Sequence, residues 1–227
     1  MTGTDYRQKG RFIGNLPERT SLNRLGSALW DLSFLLAYYE GMRTALGFRA
    51  HSGWAALVAV AGTIDALRVL ERRRIVIADP EMPGSKQPYH AAAELSFPQA
   101  EMLVRRAIES SRALALEVMS ATLKALRSQG HEVAGCGVLL GSGKALPGLE
   151  KVLGSHALIH TAEGEMFRDV LVWAAKECRL PVVGVREKGL DASSLQRIGS
   201  LGKLIGPPWT QDQKYATVAA LMTLGDA

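Results

Sequence analysis

The order of strand-like and helix-like segments constrains the fold of this chain more than any other feature of its sequence. From residue 42 onward, three apolar strand-like segments follow one another, and helical and strand-like segments then alternate. The predicted strands cover 45–49, 53–60, 67–78, 133–140 and 181–185. The predicted helices cover 98–129, 155–178 and a last stretch that opens at 207–210. This β-β-β-α-β-α-β-α order predicts an α/β domain in which a five-stranded mixed sheet carries helices on both faces.

Local signals support these segments. Residues 53–60 are apolar on both faces, as expected of a central strand. A short polar loop at 62–66 leads into the third strand and predicts an antiparallel hairpin. After Pro98 there is neither glycine nor proline up to Gln129, and apolar residues recur at helical spacing, which predicts one long amphipathic helix. We expect turns between the last strand and the last helix, because that region is rich in glycine.

Residues 1–41 differ in character from the rest of the chain. A polar, basic opening leads to a helical pattern of leucines from Leu22 to Leu36. Met42 stands a few residues before the first predicted strand, where an initiator often lies. We therefore expect the core domain to cover 42–227, with 1–41 either an added helical extension or an over-extended start.

Hydropathy and cysteine content indicate the compartment. No apolar run reaches the roughly 18 residues that a membrane helix needs, and the best candidate is interrupted by Asp31. The opening residues do not have the pattern of a signal peptide. The only two cysteines, Cys136 and Cys178, have apolar neighbours and predict buried thiols rather than a disulfide framework. These features predict a cytoplasmic protein with no membrane partner.

Three stretches resemble RuvC-type Holliday-junction resolvases, which belong to the ribonuclease H-like superfamily. Residues 164–188 resemble that family's helix-then-strand unit. The run Asp-Gln-Lys-Tyr at 212–215, followed by an alanine-rich segment, resembles its closing helix. Residues 46–49 and Gly53-Trp54 resemble its opening strand and the start of its second strand. The resemblance implies a ribonuclease H-like fold from residue 42 onward.

The resemblance also implies an activity, the hydrolysis of phosphodiesters by two Mg²⁺ ions that converging carboxylates hold. Only Asp212 matches one of the family's acids. Arg49 or a neighbour stands where the opening strand should supply an aspartate, 138–141 offer no glutamate, and Tyr215 replaces a second acid of the closing helix. Because one carboxylate does not hold two hard cations, we expect the nuclease site to be degenerate or rebuilt.

A histidine-rich stretch is the most distinctive motif of the chain. His156 and His160 are four residues apart on a predicted helix, and Glu163 lies on the same face. This spacing can present two imidazoles and a carboxylate to one divalent metal ion, so these three residues are candidate metal ligands. Glu163, His160, His51 and Asp212 are the candidate catalytic residues of a rebuilt site. The alternative is that the histidines are ordinary surface or packing residues.

A glycine-rich turn is a second candidate binding element. Gly141, Gly143 and Lys144 lie between a predicted strand and a predicted helix. Backbone amides in such a turn can bind an anion, with Lys144 as the counter-charge. Ala145 stands where a Walker A loop needs serine or threonine, and the first glycine of that motif is missing. A plain strand–helix turn is the alternative.

The basic balance of the chain favours a phosphate-bearing partner. The net charge is +5 and the isoelectric point is about 9.4. The run Arg72-Arg73-Arg74, together with Arg49, can form a face that follows phosphates. The alternative is that the three arginines lie on a solvated edge strand, where their charge prevents aggregation. Trp54 is expected to lie in the core rather than to stack on bases.

Two functions therefore stay open. One is a nuclease-like enzyme with a rebuilt, metal-dependent site; the other is a non-catalytic module that binds nucleic acid or a protein. The expected partners are nucleic acid and a second copy of the chain in a homodimer. An actin-like nucleotide-binding half is disfavoured because it needs a second matching domain and an aspartate in the first strand.

Overall fold

A computed structural model describes residues 43–141 and 145–225. The predicted extension at 1–41 and the predicted domain start at Met42 lie outside the described residues. Gly143 and Lys144 of the candidate anion-binding turn lie outside them too.

The described strands form one five-stranded sheet in the order β3-β2-β1-β4-β5. Their bounds are β1 Arg43–His51, β2 Trp54–Ala61, β3 Arg68–Val76, β4 Glu132–Leu140 and β5 Val182–Arg186. Strand β2 is antiparallel to both β1 and β3, whereas β4 is parallel to β1 and β5 is parallel to β4. The predicted mixed sheet is confirmed, and its order and directions are those of the ribonuclease H-like fold.

The helices of the described part of the chain differ widely in length. They are α1 Pro88–Ala93, α2 Phe97–Ser128, α3 Leu149–Leu153, α4 His156–Glu177, α5 Ala192–Ser200, α6 Gly202–Ile205 and α7 Gln211–Leu224, with a 3₁₀ turn at Glu187–Gly189. The three long helices lie where the sequence predicts them. Their ends follow local chemistry: Thr210 and Gln213 form a capping box at the start of α7.

Helix α5 corrects the expectation of turns after β5. Asp191 caps it by accepting a hydrogen bond from the backbone N–H of Ser194 at 2.8 Å. Hydrogen bonds from Ser193 and Ser194 lower the pKa of Asp191 to about 2. Ile198 is fully buried against α7. The helix forms because capping and burial of one apolar face outweigh the low helix propensity of nearby glycines.

The sheet is covered by helices on both faces, as predicted. On one face, α2 and α4 pack over inward side chains that include Leu46, Phe48 and Val138. On the other face, α7 packs over β1, β2 and β4 through small side chains such as Ala216 and Ala219. Alternate residues of β1 therefore point to different helical layers. Among the described residues, no helix has the length and hydropathy needed to cross a bilayer.

Helix α7 approaches the sheet closely because two strand positions lack a side chain. A Cβ atom at Gly47 would lie 1.8 Å from the carbonyl oxygen of Ala216, and one at Gly137 would lie 2.0 Å from that of Ala219. Ala216 lies over Gly47, and one turn earlier Asp212 meets His51, four residues further along β1. The helix therefore runs antiparallel to β1 and brings its N-terminus to the carboxyl end of that strand.

Both cysteines are free thiols on the α2–α4 side of the sheet. Burial raises the pKa of the Cys136 thiol to about 12, with a smaller contribution from Cys178. Cys136 is fully buried on β4, whereas Cys178 caps α4 and is partly exposed. Cys136 is therefore a packing residue of the core.

Candidate functional site

The carboxyl end of β1 carries a compact group of charged side chains. Asp212, from the first turn of α7, accepts a hydrogen bond from His51 at 2.9 Å. It also forms an ion pair with Arg49 at 3.1 Å. A second carboxylate, that of Glu187 just after β5, lies 3.4 Å from the Arg49 guanidinium. These four residues are named the strand-end group here. Two of the predicted site residues, His51 and Asp212, are thus in direct contact.

Arg49 is the centre of the strand-end group. Its guanidinium also lies over the ring of Tyr215, 4.4 Å from the ring centroid. The side chains of Arg49 and Asp212 are 21% and 25% exposed, so their ion pair is partly shielded from water, whereas the Glu187 side chain is 51% exposed. The positive charge therefore sits between the two carboxylates and fixes their orientation.

A stack of aromatic and cationic groups adjoins the strand-end group. The rings of His51 and Trp54 are parallel within 12°, with centroids 4.3 Å apart. The guanidinium of Arg74 lies over Trp54, 4.1 Å from the ring centroid. Trp54 is therefore partly exposed between His51 and Arg74, which corrects the expectation that it lies in the core. Stacking and cation–π contacts hold its indole in one orientation.

An open groove of about 480 Å³ runs past this stack. It is bordered by Trp54, Arg72 and Arg74 on the strands and by Thr210 and Asp212 at the start of α7. The groove therefore offers a partly exposed indole, one face of which the exposed Arg74 side chain covers, together with N–H donors and one carboxylate. Such a combination suits a ligand that has flat rings and anionic groups.

The three consecutive arginines of β3 have different roles. Arg72 donates to the backbone carbonyls of Gly206 at 2.9 Å and Ile205 at 3.1 Å, so it ties β3 to the chain before α7. Arg73 points to the other face and donates to Thr122 of α2 at 2.8 Å. Arg74 is exposed and lies against Trp54. All three residues border the groove, but because side chains alternate along a strand, the Arg73 guanidinium lies on the other face of the sheet.

Another carboxylate lies at the carboxyl end of β4, the neighbour of β1. A Cβ atom at Gly141 would lie 2.2 Å from Oε1 of Glu165, which belongs to α4. Glu165 is ion-paired with Arg168 at 3.5 Å. The space beyond the strand end is thus occupied by the ends of the Glu165 and Arg168 side chains, which a side chain at position 141 would have to displace.

The second set of predicted site residues forms a separate histidine cluster. His156 and His160 have ring centroids 4.4 Å apart on α4, and His90 of α1 lies 5.3 Å from His156 and 4.7 Å from His160. Glu163 is 1% exposed, and its Oε1 accepts from the His90 ring nitrogen Nδ1 at 2.9 Å and from the His90 backbone N–H at 3.2 Å. Three histidines therefore meet beside one buried carboxylate.

The structure divides the candidate catalytic residues between two places. His51 and Asp212 lie on the α7 side of the sheet, at the end of β1. His160 and Glu163 lie on α4, in the helical layer that covers the other face. The expectation of one rebuilt site that combines all four residues is therefore replaced by two groups with different surroundings.

Sequence reasoning missed His90 and undervalued Trp54. His90 follows a segment rich in proline and glycine, and no sequence spacing connects it with residues 156–160. The contact arises because Tyr89 packs beside Ile159 and Ala162 and holds α1 against α4. For Trp54, the turn glycine before it was a signal that it stands at the rim of the sheet.

Comparisons with known proteins give distant likenesses of the backbone. No family model matches the chain, and no curated protein matches it. Solved structures that it resembles include Thermus thermophilus RuvC in complex with a Holliday junction, with a TM-score of 0.44, 17% identity, and coverage of 79% of this chain and 90% of that chain. Another Thermus thermophilus RuvC structure gives a TM-score of 0.44 at 16% identity, over 81% of this chain and 98% of that chain. A PilM–PilN type IV pilus biogenesis complex gives 0.28 at 20% identity, over 87% and 51%.

Proposed function

We propose that this chain is a ribonuclease H-like domain that binds single-stranded nucleic acid without hydrolysing it by a two-metal mechanism. The observation that carries the proposal is the position of Arg49. Its guanidinium lies 3.1 Å from Asp212, at the strand end where a metal-holding acid would be needed. A fixed cation at this point repels a divalent metal and occupies a carboxylate oxygen that the metal would need.

The residues at the strand ends do not fit a pair of Mg²⁺ ions. Two hard cations need several carboxylates with free oxygen atoms. Asp212 is engaged by Arg49 and His51, Glu187 by Arg49, and Glu165 by Arg168. Each of these three carboxylates is thus paired through one oxygen with a neighbouring side chain, and Arg49 places a positive charge between two of them, an arrangement that does not suit two Mg²⁺ ions.

The groove beside Trp54 supports binding of unpaired nucleotides. A base can stack on a face of Trp54 when the exposed Arg74 guanidinium moves off the indole to pair with a phosphate. Duplex nucleic acid hides its bases in the stack, whereas a single strand exposes them. The net charge of +5 adds a general attraction for the phosphate backbone.

Salt dependence of binding tests this proposal. We expect a fluorescently labelled single strand to bind more tightly than a duplex or a four-way junction of the same sequence. Because a few phosphates are neutralised, the logarithm of the binding constant should fall with the logarithm of salt concentration, with a slope of about −2 for three contacts on a single strand. Fluorescence anisotropy measures both quantities. Absence of binding to every nucleic acid at low salt would leave the protein-binding alternative.

A further inference from the structure

We propose that the histidine cluster of His90, His156 and His160 binds one divalent transition-metal ion, with zinc as the best match. In the described part of the chain, this is the single group of three or more potential ligand side chains whose ligand atoms all lie within 4.8 Å of one another. Imidazole nitrogen is a preferred ligand of zinc, copper and nickel rather than of Mg²⁺. The site is thus separate in place and in chemistry from the proposed nucleic-acid interface.

The cluster needs little rearrangement to coordinate a metal. Zinc–nitrogen bonds of about 2.1 Å in a tetrahedral site place the nitrogens roughly 3.4 Å apart. The ligand atoms of the cluster lie within 4.8 Å of one another, so they have to approach by about 1 Å or somewhat more to reach this spacing. His156 and His160 are exposed, so their rings can rotate this far without repacking the core. Their spacing of four residues keeps both on one face of α4. The third ligand is positioned by α1, which Tyr89 anchors against α4.

Glu163 is a positioning residue that holds His90, the third ligand, through hydrogen bonds. Its carboxylate accepts a hydrogen bond from Nδ1 of His90, so the proton of that ring lies on Nδ1 and the lone pair on Nε2 is free. The same oxygen accepts from the His90 backbone N–H and fixes the start of α1. The two hydrogen bonds from His90 explain how Glu163 can be buried, with only 1% of its surface exposed. It revises the prediction that Glu163 is itself a ligand.

Three protein ligands leave a fourth position of a tetrahedral ion unfilled by the cluster. Two of the three histidines are exposed, so this position faces solvent. A water molecule or a small anion is the ligand class expected there. The site therefore has the ligand number of a zinc centre that exchanges its fourth ligand, rather than that of a closed structural site.

Zinc titration of the untagged full-length chain tests the site. The protein is stripped with a chelator, and zinc is then added in competition with a chromophoric chelator. We expect one zinc ion per chain, and cobalt as a probe should give the visible absorption of a four-coordinate ion. The double variant His156→Ala/His160→Ala should bind zinc at least 100-fold more weakly. Circular dichroism checks that it is folded, which is expected because both side chains are exposed.

Two further variants separate coordination from general effects. Glu163→Gln should weaken zinc binding by about 10- to 100-fold while the stoichiometry stays at one, because it perturbs the partner of a ligand rather than a ligand. His131→Gln, outside the cluster, should bind zinc like the unmodified chain. The inference is overturned if zinc does not saturate a site at micromolar concentration, if the double variant binds equally well, or if His131→Gln loses binding to the same extent.

Discussion

Replacing Gly47 by alanine is expected to destabilise the folded domain by about 3 kcal/mol, since overpacking of a tight interface costs this order of free energy. The new Cβ atom would lie 1.8 Å from the carbonyl oxygen of Ala216 and 2.6 Å from its carbonyl carbon. Both are backbone atoms of α7, so no side-chain rotation relieves the collision. The helix has to shift as a body, and the contacts of Asp212 with Arg49 and His51 shift with it. Urea denaturation measures the loss as a lower midpoint.

Gly199→Ala is the matched control for this substitution. A Cβ atom at Gly199 meets no other atom within 4 Å, and the residue lies inside α5. Alanine there should leave stability unchanged or raise it by up to about 1 kcal/mol, because glycine is the poorer helix former. If Gly47→Ala unfolds at the same urea concentration as Gly199→Ala, the close seating of α7 on β1 is wrong.

The double variant Trp54→Ala/Arg74→Ala is expected to lower the affinity for a single strand by about 100-fold, since loss of one base–aromatic stack costs roughly 1–3 kcal/mol and loss of a phosphate contact adds to it. A base would stack on the Trp54 face that Arg74 covers in the free protein, and the displaced Arg74 would pair with a phosphate. The Arg74→Ala variant alone should also reduce the salt slope, whereas Trp54→Phe should retain part of the affinity. Fluorescence anisotropy at two salt concentrations distinguishes these contributions.

Arg105→Ala is the control for the loss of one positive charge. Arg105 is exposed on α2, on the other side of the sheet, and pairs with Glu101 of the same helix at 3.5 Å. Its removal should change affinity only slightly. Equal losses in Arg105→Ala and Arg74→Ala would mean that net charge, rather than the groove beside Trp54, determines binding.

The fold could be predicted from the sequence because its signals are local. Apolar strand runs, a long segment free of glycine and proline, and a proline-marked helix start place the strands and long helices. Helix α5 was missed because glycines flank it and its support is tertiary, through Ile198 against α7. Local propensity does not report contacts of that kind.

The sites could be predicted only where their residues lie on elements that the fold brings together. Asp212 and His51 could be found because the closing helix starts at the carboxyl end of the first strand in the fold that the sequence resembles. His90 was missed because its partners lie some seventy residues away, as the separation of 73 from Glu163 shows. The candidate residues form two groups because α4 and α7 cover different faces of the sheet. The spacing of residues within one helix does not indicate which face that helix covers.

Hydrolysis measured on nucleic acid that is fully bound tests the central claim most directly. Labelled single strand and four-way junction are incubated with excess protein and either Mg²⁺ or Mn²⁺, and the products are separated on a denaturing gel. We predict that the substrates stay uncut while anisotropy shows the single strand bound, because Arg49 holds the carboxylate of Asp212. Metal-dependent cleavage that disappears in Asp212→Asn would contradict this account.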